Sequence, residues 1–448
     1  MLARHRETPA DPAVTSLGAG RRTLILLALV AVAGAPAAVL RGFCAGHSCD
    51  EPASASTEVP FCSLPGDVRA RVAAGFREGR SPDVLAVAAE PDLLAGDEGT
   101  AVPWPSSSGG EATRVPLAFS GAGLSSERVE IAPGAGLDDV APTIAEILGF
   151  DRPHPDVRSG TAIEGVAGEG RPPRLVVQVV WVGRGSDDLR KGPAVEELMA
   201  SGPSTLDADT GSVPVDPAAV LTTIGTGGLP SQHGITGTYV RDDAGKLRKA
   251  WSPNSPVSVI ATLGDDLDEE MGQEPVIGMA GARRSYLGAI GGNWYIDVDR
   301  DRFVKTEPGR EPRDARRLLD SSFGADSVPD LAVVAVEGGW KTLDEVLRVV
   351  LRRGAEVSGG SVAVVFTATG ATGRGEVFDP SSLPGDEIEP LVERAVPGGL
   401  FLDQEELARR RVSEDVVLRS LVAARDRSGD ALFADAFPAI AVAFGRYC

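Results

Sequence analysis

The run Leu175 to Val182, LVVQVVWV, most constrains the fold, because it is apolar on successive residues rather than on alternate ones. A strand of that kind has to be covered on both faces, and parallel sheets flanked by helices provide such cover. Further short apolar runs are Asp83 to Ala89, Val115 to Ser120, Val257 to Leu263, Pro275 to Met279, Leu331 to Val336 and Val362 to Phe366. Ala439 to Phe444 reads as a last strand. Helical spacing marks Val68 to Phe76, Asp139 to Phe150, Leu343 to Arg352 and Val412 to Ala424. Asp97 to Gly110, rich in Gly, Ser and Pro, reads as a loop. Alternating strands and helices predict an α/β fold with a mostly parallel central sheet and helices on both faces.

Asp216 to Gly237, DPAAVLTTIGTGGLPSQHGITG, is the most informative stretch for function. Asp216 suits a helix N-cap and Pro217 the first helical position. Gly225, Gly227 and Gly228 then break a short threonine-rich helix into a tight loop holding His233. A capped helix start beside a buried strand can hold an anion, although the same residues serve equally to join two core elements.

The segment TGGLPSQHGI, with Thr226, Gly228, Pro230, His233, Gly234 and Ile235, resembles the stretch after the nucleophile in the alkaline phosphatase superfamily. The similarity is to its type I phosphodiesterase and nucleotide pyrophosphatase branch. Leu175 to Val182 resembles that fold's opening strand. VPLAFSGAGL followed by DDVAPTIAEILGFDRPHPDVRSG is similar to its closing portion. Residues 62–170 thus resemble the family's C-terminal part and 171–448 its N-terminal part. This order implies a circularly permuted single domain over 62–448, which requires only that old termini be joined and new ones opened at a surface.

The resemblance implies hydrolysis of phosphate or sulfate esters by two zinc ions and a Thr or Ser nucleophile. The matching positions here hold other residues. Val182 stands where an aspartate ends the opening strand, and Pro217, beside Asp216, where the nucleophile belongs. Glu337-Gly338-Gly339-Trp340 replaces a D-x-x-x-H pair, Ala368-Thr369-Gly370 replaces D-H-G, and Ser106 to Gly110 replaces a histidine loop. Of the four histidines, His5 and His47 precede the domain, which leaves only His154 and His233. Six carboxylate and imidazole ligands, roughly what such a metal pair needs, are not to be found at these positions. The acidic run Asp265 to Glu270, without its Leu267, reads as the solvated face of a helix rather than a magnesium or calcium site.

The leading expectation is therefore a binding or structural module with no cofactor. The alternative is a phosphoester hydrolase with a rearranged site using Asp216, Thr222 or Thr223, and only that alternative calls for zinc. A third reading places a nucleotide at the Gly183-Arg184-Gly185-Ser186 turn, where Asp188 occupies the third glycine position of G-x-G-x-x-G. Gly183, Gly185, Asp216 and His233 are the candidate ligand contacts; His233 also reads as a structural loop residue.

Thr23 to Leu40 is uncharged and long enough for a membrane-spanning helix. Arg4, Arg6, Arg21 and Arg22 precede it, which places residues 1–22 in the cytoplasm as a disordered tail. A cleaved signal peptide is the rival reading, with Ala33-Gly34-Ala35 as the cleavage site. Residues 41–61 read as an extracytoplasmic tether. All four cysteines, Cys44, Cys49, Cys62 and Cys448, follow the apolar segment, as suits disulfides in an oxidising compartment. The favoured pairing is Cys44–Cys49 and Cys62–Cys448, because domain termini tend to lie close together. A net charge of −20 excludes nucleic acid as a partner and leaves a small molecule or protein as the ligand.

Overall fold

The computed structural model describes residues 61–448 apart from 90–92, 98–99, 108–109, 127–128, 273, 292–301, 372–375, 386–387 and 446–447. The apolar segment 23–40, Cys44, Cys49 and nearly all of the tether lie outside the described residues. No helix among the described residues is long and apolar enough to cross a membrane.

A seven-stranded sheet runs in the order Arg302–Lys305, Ile277–Gly281, Asp330–Val336, Leu175–Trp181, Val362–Ala368, Arg114–Gly121, Ser204–Asp209. The first five strands are parallel. Arg114–Gly121 joins them antiparallel to Val362–Ala368, and Ser204–Asp209 pairs antiparallel with it in turn. The three central parallel strands are buried at every position, as their predominantly apolar sequences require. Gln178 is the exception in the middle strand, lying opposite Val333 and Val365. Its buried amide has no partner among the described residues.

Alternation along Ile277–Gly281 shows how both faces are covered. Ile277 lies against Gly264 of the helix Leu263–Glu270, while on the other face Gly278 sits beneath Leu318 and Phe323. A Cβ at Gly278 would come within 2.9 Å of Leu318 Cδ1, so glycine is needed for this close approach. The helices Glu311–Leu318 and Trp340–Ser358 pack together over that second face.

A smaller antiparallel sheet has the order Val392–Val396, Gly399–Leu402, Val84–Ala88, Phe433–Pro438. Its own core includes Trp104, Phe378 and Phe433, whose rings meet edge to face at 5.4 to 5.5 Å. The ends of the described chain meet here through Cys62–Cys448, with Cα atoms 5.3 Å apart, which is the expected pairing.

Four sequence expectations are corrected. Val257–Leu263 is not a strand, because Thr262 caps the helix Leu263–Glu270. The Thr262 hydroxyl accepts from the Asp265 N–H, and the Asp265 carboxylate accepts from the Thr262 N–H at 2.8 Å. This capping box outweighs a short apolar run. Ala439–Phe444 is a helix following the strand Phe433–Pro438; alanine-rich apolar runs this short carry no period that separates the two states. The loop from Asp97 instead contains the strand Thr100–Pro103, paired with Leu93–Asp97. Asp265 and Asp266 of the acidic run are buried, whereas Glu269 and Glu270 are exposed. Asp266 accepts from Arg152 Nε at 2.7 Å and Arg158 Nη2 at 3.1 Å, and the same two arginines donate to Thr226 O. Burial costs a carboxylate less when cations are in contact with it, so these paired arginines decide which end of the run is solvated.

Candidate active site edge

The helix Pro217–Thr226 starts where its sequence predicts, with Asp216 as N-cap. The Asp216 carboxylate accepts from the Ala218 N–H at 2.9 Å and from the Thr238 hydroxyl at 3.0 Å. The residue is only 5% exposed, and burial raises its pKa despite these donors. It lies between two cavities. One, of about 440 Å³ including its open mouth, is lined by Asp216, Thr238, Tyr239, Arg283, Tyr286 and Arg394. The other, an open cleft, shares Asp216, Thr238 and Tyr239 and has apolar walls that include Phe76, Leu85 and Phe437. Thr236 also lines the second cavity, and its buried hydroxyl has no partner among the described residues.

Glu337 begins the loop after the strand Asp330–Val336, at the carboxyl edge of the sheet where open α/β folds place their ligands. One of its oxygens accepts from the Tyr286 hydroxyl at 2.6 Å and from Arg283 Nε at 3.3 Å. Burial and the Glu337 charge together push the Tyr286 pKa well above its usual value, so the phenol stays protonated and donates. Burial works to lower the Arg283 pKa, but the pKa is raised overall, the Glu337 carboxylate supplying the counter-charge, and the guanidinium remains charged. Arg394 stacks on the Tyr239 ring, 4.0 Å from its centroid.

The other sequence candidates lie away from these cavities. Thr222 and Thr223 are fully buried and line neither cavity. The Thr222 hydroxyl donates to Ala218 O at 2.7 Å and accepts from Trp251 Nε1 at 3.2 Å. His233 is also fully buried, and its Nδ1 accepts from the Ile235 N–H at 3.1 Å. The ring proton is therefore on Nε2, which donates to the Thr223 hydroxyl at 3.1 Å. Burial, helped by Arg77 and Arg80, lowers the His233 pKa to about 3. His154 is exposed in its turn, so the two domain histidines do not converge. At the third candidate site, the Gly183 N–H donates to the Thr369 hydroxyl at 2.8 Å and the Gly185 N–H to Asp188 at 3.1 Å. Only the 3-10 turn Ser186–Asp188 follows directly, so this glycine turn lacks the helix start that a dinucleotide motif uses.

A zinc pair does not fit this donor set. Val182 is buried, Glu337 is engaged by Arg283 and Tyr286, and no imidazole lines either cavity. Among the described residues, no three His, Cys, Asp or Glu side chains gather so as to hold a metal ion. Sequence reasoning did not single out Arg283, Tyr286, Tyr239 or Arg394. Arg283 had a signal in its place just beyond the strand Ile277–Gly281, at the same sheet edge as Glu337. Arg394 had none, because it comes from the strand Val392–Val396 of the smaller sheet.

No protein-family model matches this chain, and no curated protein matches it. Among solved structures it is similar to phosphonoacetate hydrolase from Sinorhizobium meliloti 1021 in complex with phosphonoformate. The two share 14% identity over 46% of this chain and 58% of that one, with a TM-score of 0.28. The same enzyme in complex with phosphonoacetate gives 14% identity, the same coverage and a TM-score of 0.27. The overlap thus spans little more than half of the hydrolase's length.

Proposed function

We propose that residues 62–448 form a permuted, alkaline-phosphatase-like domain that binds a ligand beside Asp216 and does not hydrolyse phosphoesters by two-metal chemistry. One observation carries this reading. Glu337 stands where the sequence resemblance calls for a metal ligand, and there it is bonded to Arg283 and Tyr286. A resident guanidinium supplies beside this carboxylate the positive charge that a metal would bring, without a Lewis-acid centre or an activated water. No hydroxyl takes the nucleophile's place at the helix start, which holds Asp216 and Pro217. The strand Arg114–Gly121, beside Val362–Ala368 in the main sheet, and the Cys62–Cys448 bond both support one permuted domain. The disulfide also supports an extracytoplasmic location, with residues 23–40 as a membrane anchor and a small molecule or protein as ligand.

A hydrolase with a rearranged site is the second reading, favoured by one feature: Asp216 is a buried carboxyl with a raised pKa in a cleft. Metal analysis of the purified full-length protein, with p-nitrophenyl phosphate and bis-p-nitrophenyl phosphate assays, decides between them. The binding reading expects zinc far below one per chain and no turnover above that of an Asp216→Asn variant. Stoichiometric zinc with turnover would overturn it, and metal-independent turnover lost in Asp216→Asn would establish the second reading.

A further inference from the structure

On a chain with net charge −20, one surface has the opposite sign. The helix Glu311–Leu318 turns its carboxylates inward: Glu311 and Asp314 are buried, while Arg313, Arg316 and Arg317 are exposed. On the neighbouring helix Trp340–Ser358, Arg348 and Arg352 are one turn apart and also exposed. Arg316, Arg348, Arg352 and Arg353 line an open groove, with Glu345 and Glu356 also on its walls. Arg353 is committed to Leu319 O and Glu356, and Arg348 to Asp344. Arg316 and Arg352 have no ion-pair partner among the described residues. Crowded like charges at a surface repel one another and favour a ligand that supplies the missing counter-charge.

We propose that this groove docks an acidic polypeptide segment of a partner protein. Guanidinium groups pair with carboxylates through two parallel N–H donors, so spaced arginines suit a chain carrying Asp or Glu. The recess favours such a chain over a flat anionic bilayer, whose headgroup layer would press against Glu345 and Glu356. An extended peptide can set its carboxylates between the arginines and avoid both glutamates. The net acidity of the chain as a whole disfavours non-specific association of the same segment elsewhere. This proposal is independent of the Asp216 site.

The test is fluorescence anisotropy of a fluorescein-labelled peptide of alternating Glu and Ser, titrated with the full-length protein. Saturable binding is expected at low salt, weakening at least about tenfold as ionic strength rises to about 0.3 M. The triple variant Arg316→Glu, Arg348→Glu, Arg352→Glu should lose at least about tenfold in affinity with an unchanged melting temperature. Because Arg348 also pairs with Asp344, the double variant Arg316→Glu, Arg352→Glu provides the readout if the triple variant melts early. Equal affinity of wild type and the folded variant would overturn the proposal. So would binding to vesicles containing phosphatidylglycerol with no binding to the peptide.

Discussion

His233 and Asp216 show how burial sets protonation one residue at a time. The His233 imidazole is neutral because its folded pKa lies near 3, far below the usual 6.5. In the unfolded chain it takes up a proton below pH 6.5, so acid favours unfolding. The contribution is fully present above that pH and is lost as pH falls towards 3, by up to ~1.4 kcal/mol per pH unit. Denaturant midpoints measured across this range should fall more steeply for wild type than for His233→Gln, which cannot titrate. Equal slopes would mean the imidazole is not held neutral. Asp216 has the opposite linkage, since its raised pKa means that ionisation opposes folding as pH rises above the carboxylate's ordinary 3.8.

The element that organises the site is the helix Pro217–Thr226, and its packing leaves little room for change. Gly225 lies so close to the neighbouring turn Arg284–Ala289 that a Cβ there would be 2.0 Å from Gly288 O. A Cβ on Gly288 would in turn meet Thr222 Oγ1 at 2.0 Å. The turn that carries Tyr286 is therefore placed by backbone contact with the helix that carries Asp216. Gly225→Ala should destabilise the fold by about 3 kcal/mol through overpacking, although alanine is the better helix former. Urea unfolding checks this directly, and a stabilised Gly225→Ala protein would show that the helix and turn can separate. At the other end of the helix, Gly227 at φ 73° closes the last turn, while Arg152 and Arg158 hold the Thr226 carbonyl. Donors and positive charge at a helix C-terminus answer its exposed carbonyls and the negative end of its dipole.

Across the whole molecule, the Cys62–Cys448 bond closes a loop of sequence separation 386. Cross-linking the ends of so long a chain removes much of the unfolded state's freedom and, on the chain-entropy account, is worth up to ~5 kcal/mol. The double variant Cys62→Ser, Cys448→Ser should unfold at lower urea than the oxidised protein and match the reduced wild type. Identical midpoints for all three would remove the stapling role.

How much was legible in advance differs with the range of the interaction. Strands such as Leu175–Trp181 and Asp330–Val336 were readable because unbroken apolar runs leave no other buried arrangement for a chain of this composition. The Asp216-Pro217 helix start was readable for the same local reason, since a cap acts within two or three residues of itself. Local pattern failed where it was ambiguous, as at Ala439–Phe444, and where a distant partner decided the outcome, as when Arg152 and Arg158 buried Asp266. The amino-acid order alone determined the central apolar strands, the shortage of histidines and the Asp216 cap, all of which depend on neighbours in sequence. Only the tertiary structure decided that Arg283 and Tyr286 engage Glu337 and that Arg394 comes across from the smaller sheet. Those contacts join segments far apart in the chain, and no local propensity encodes them.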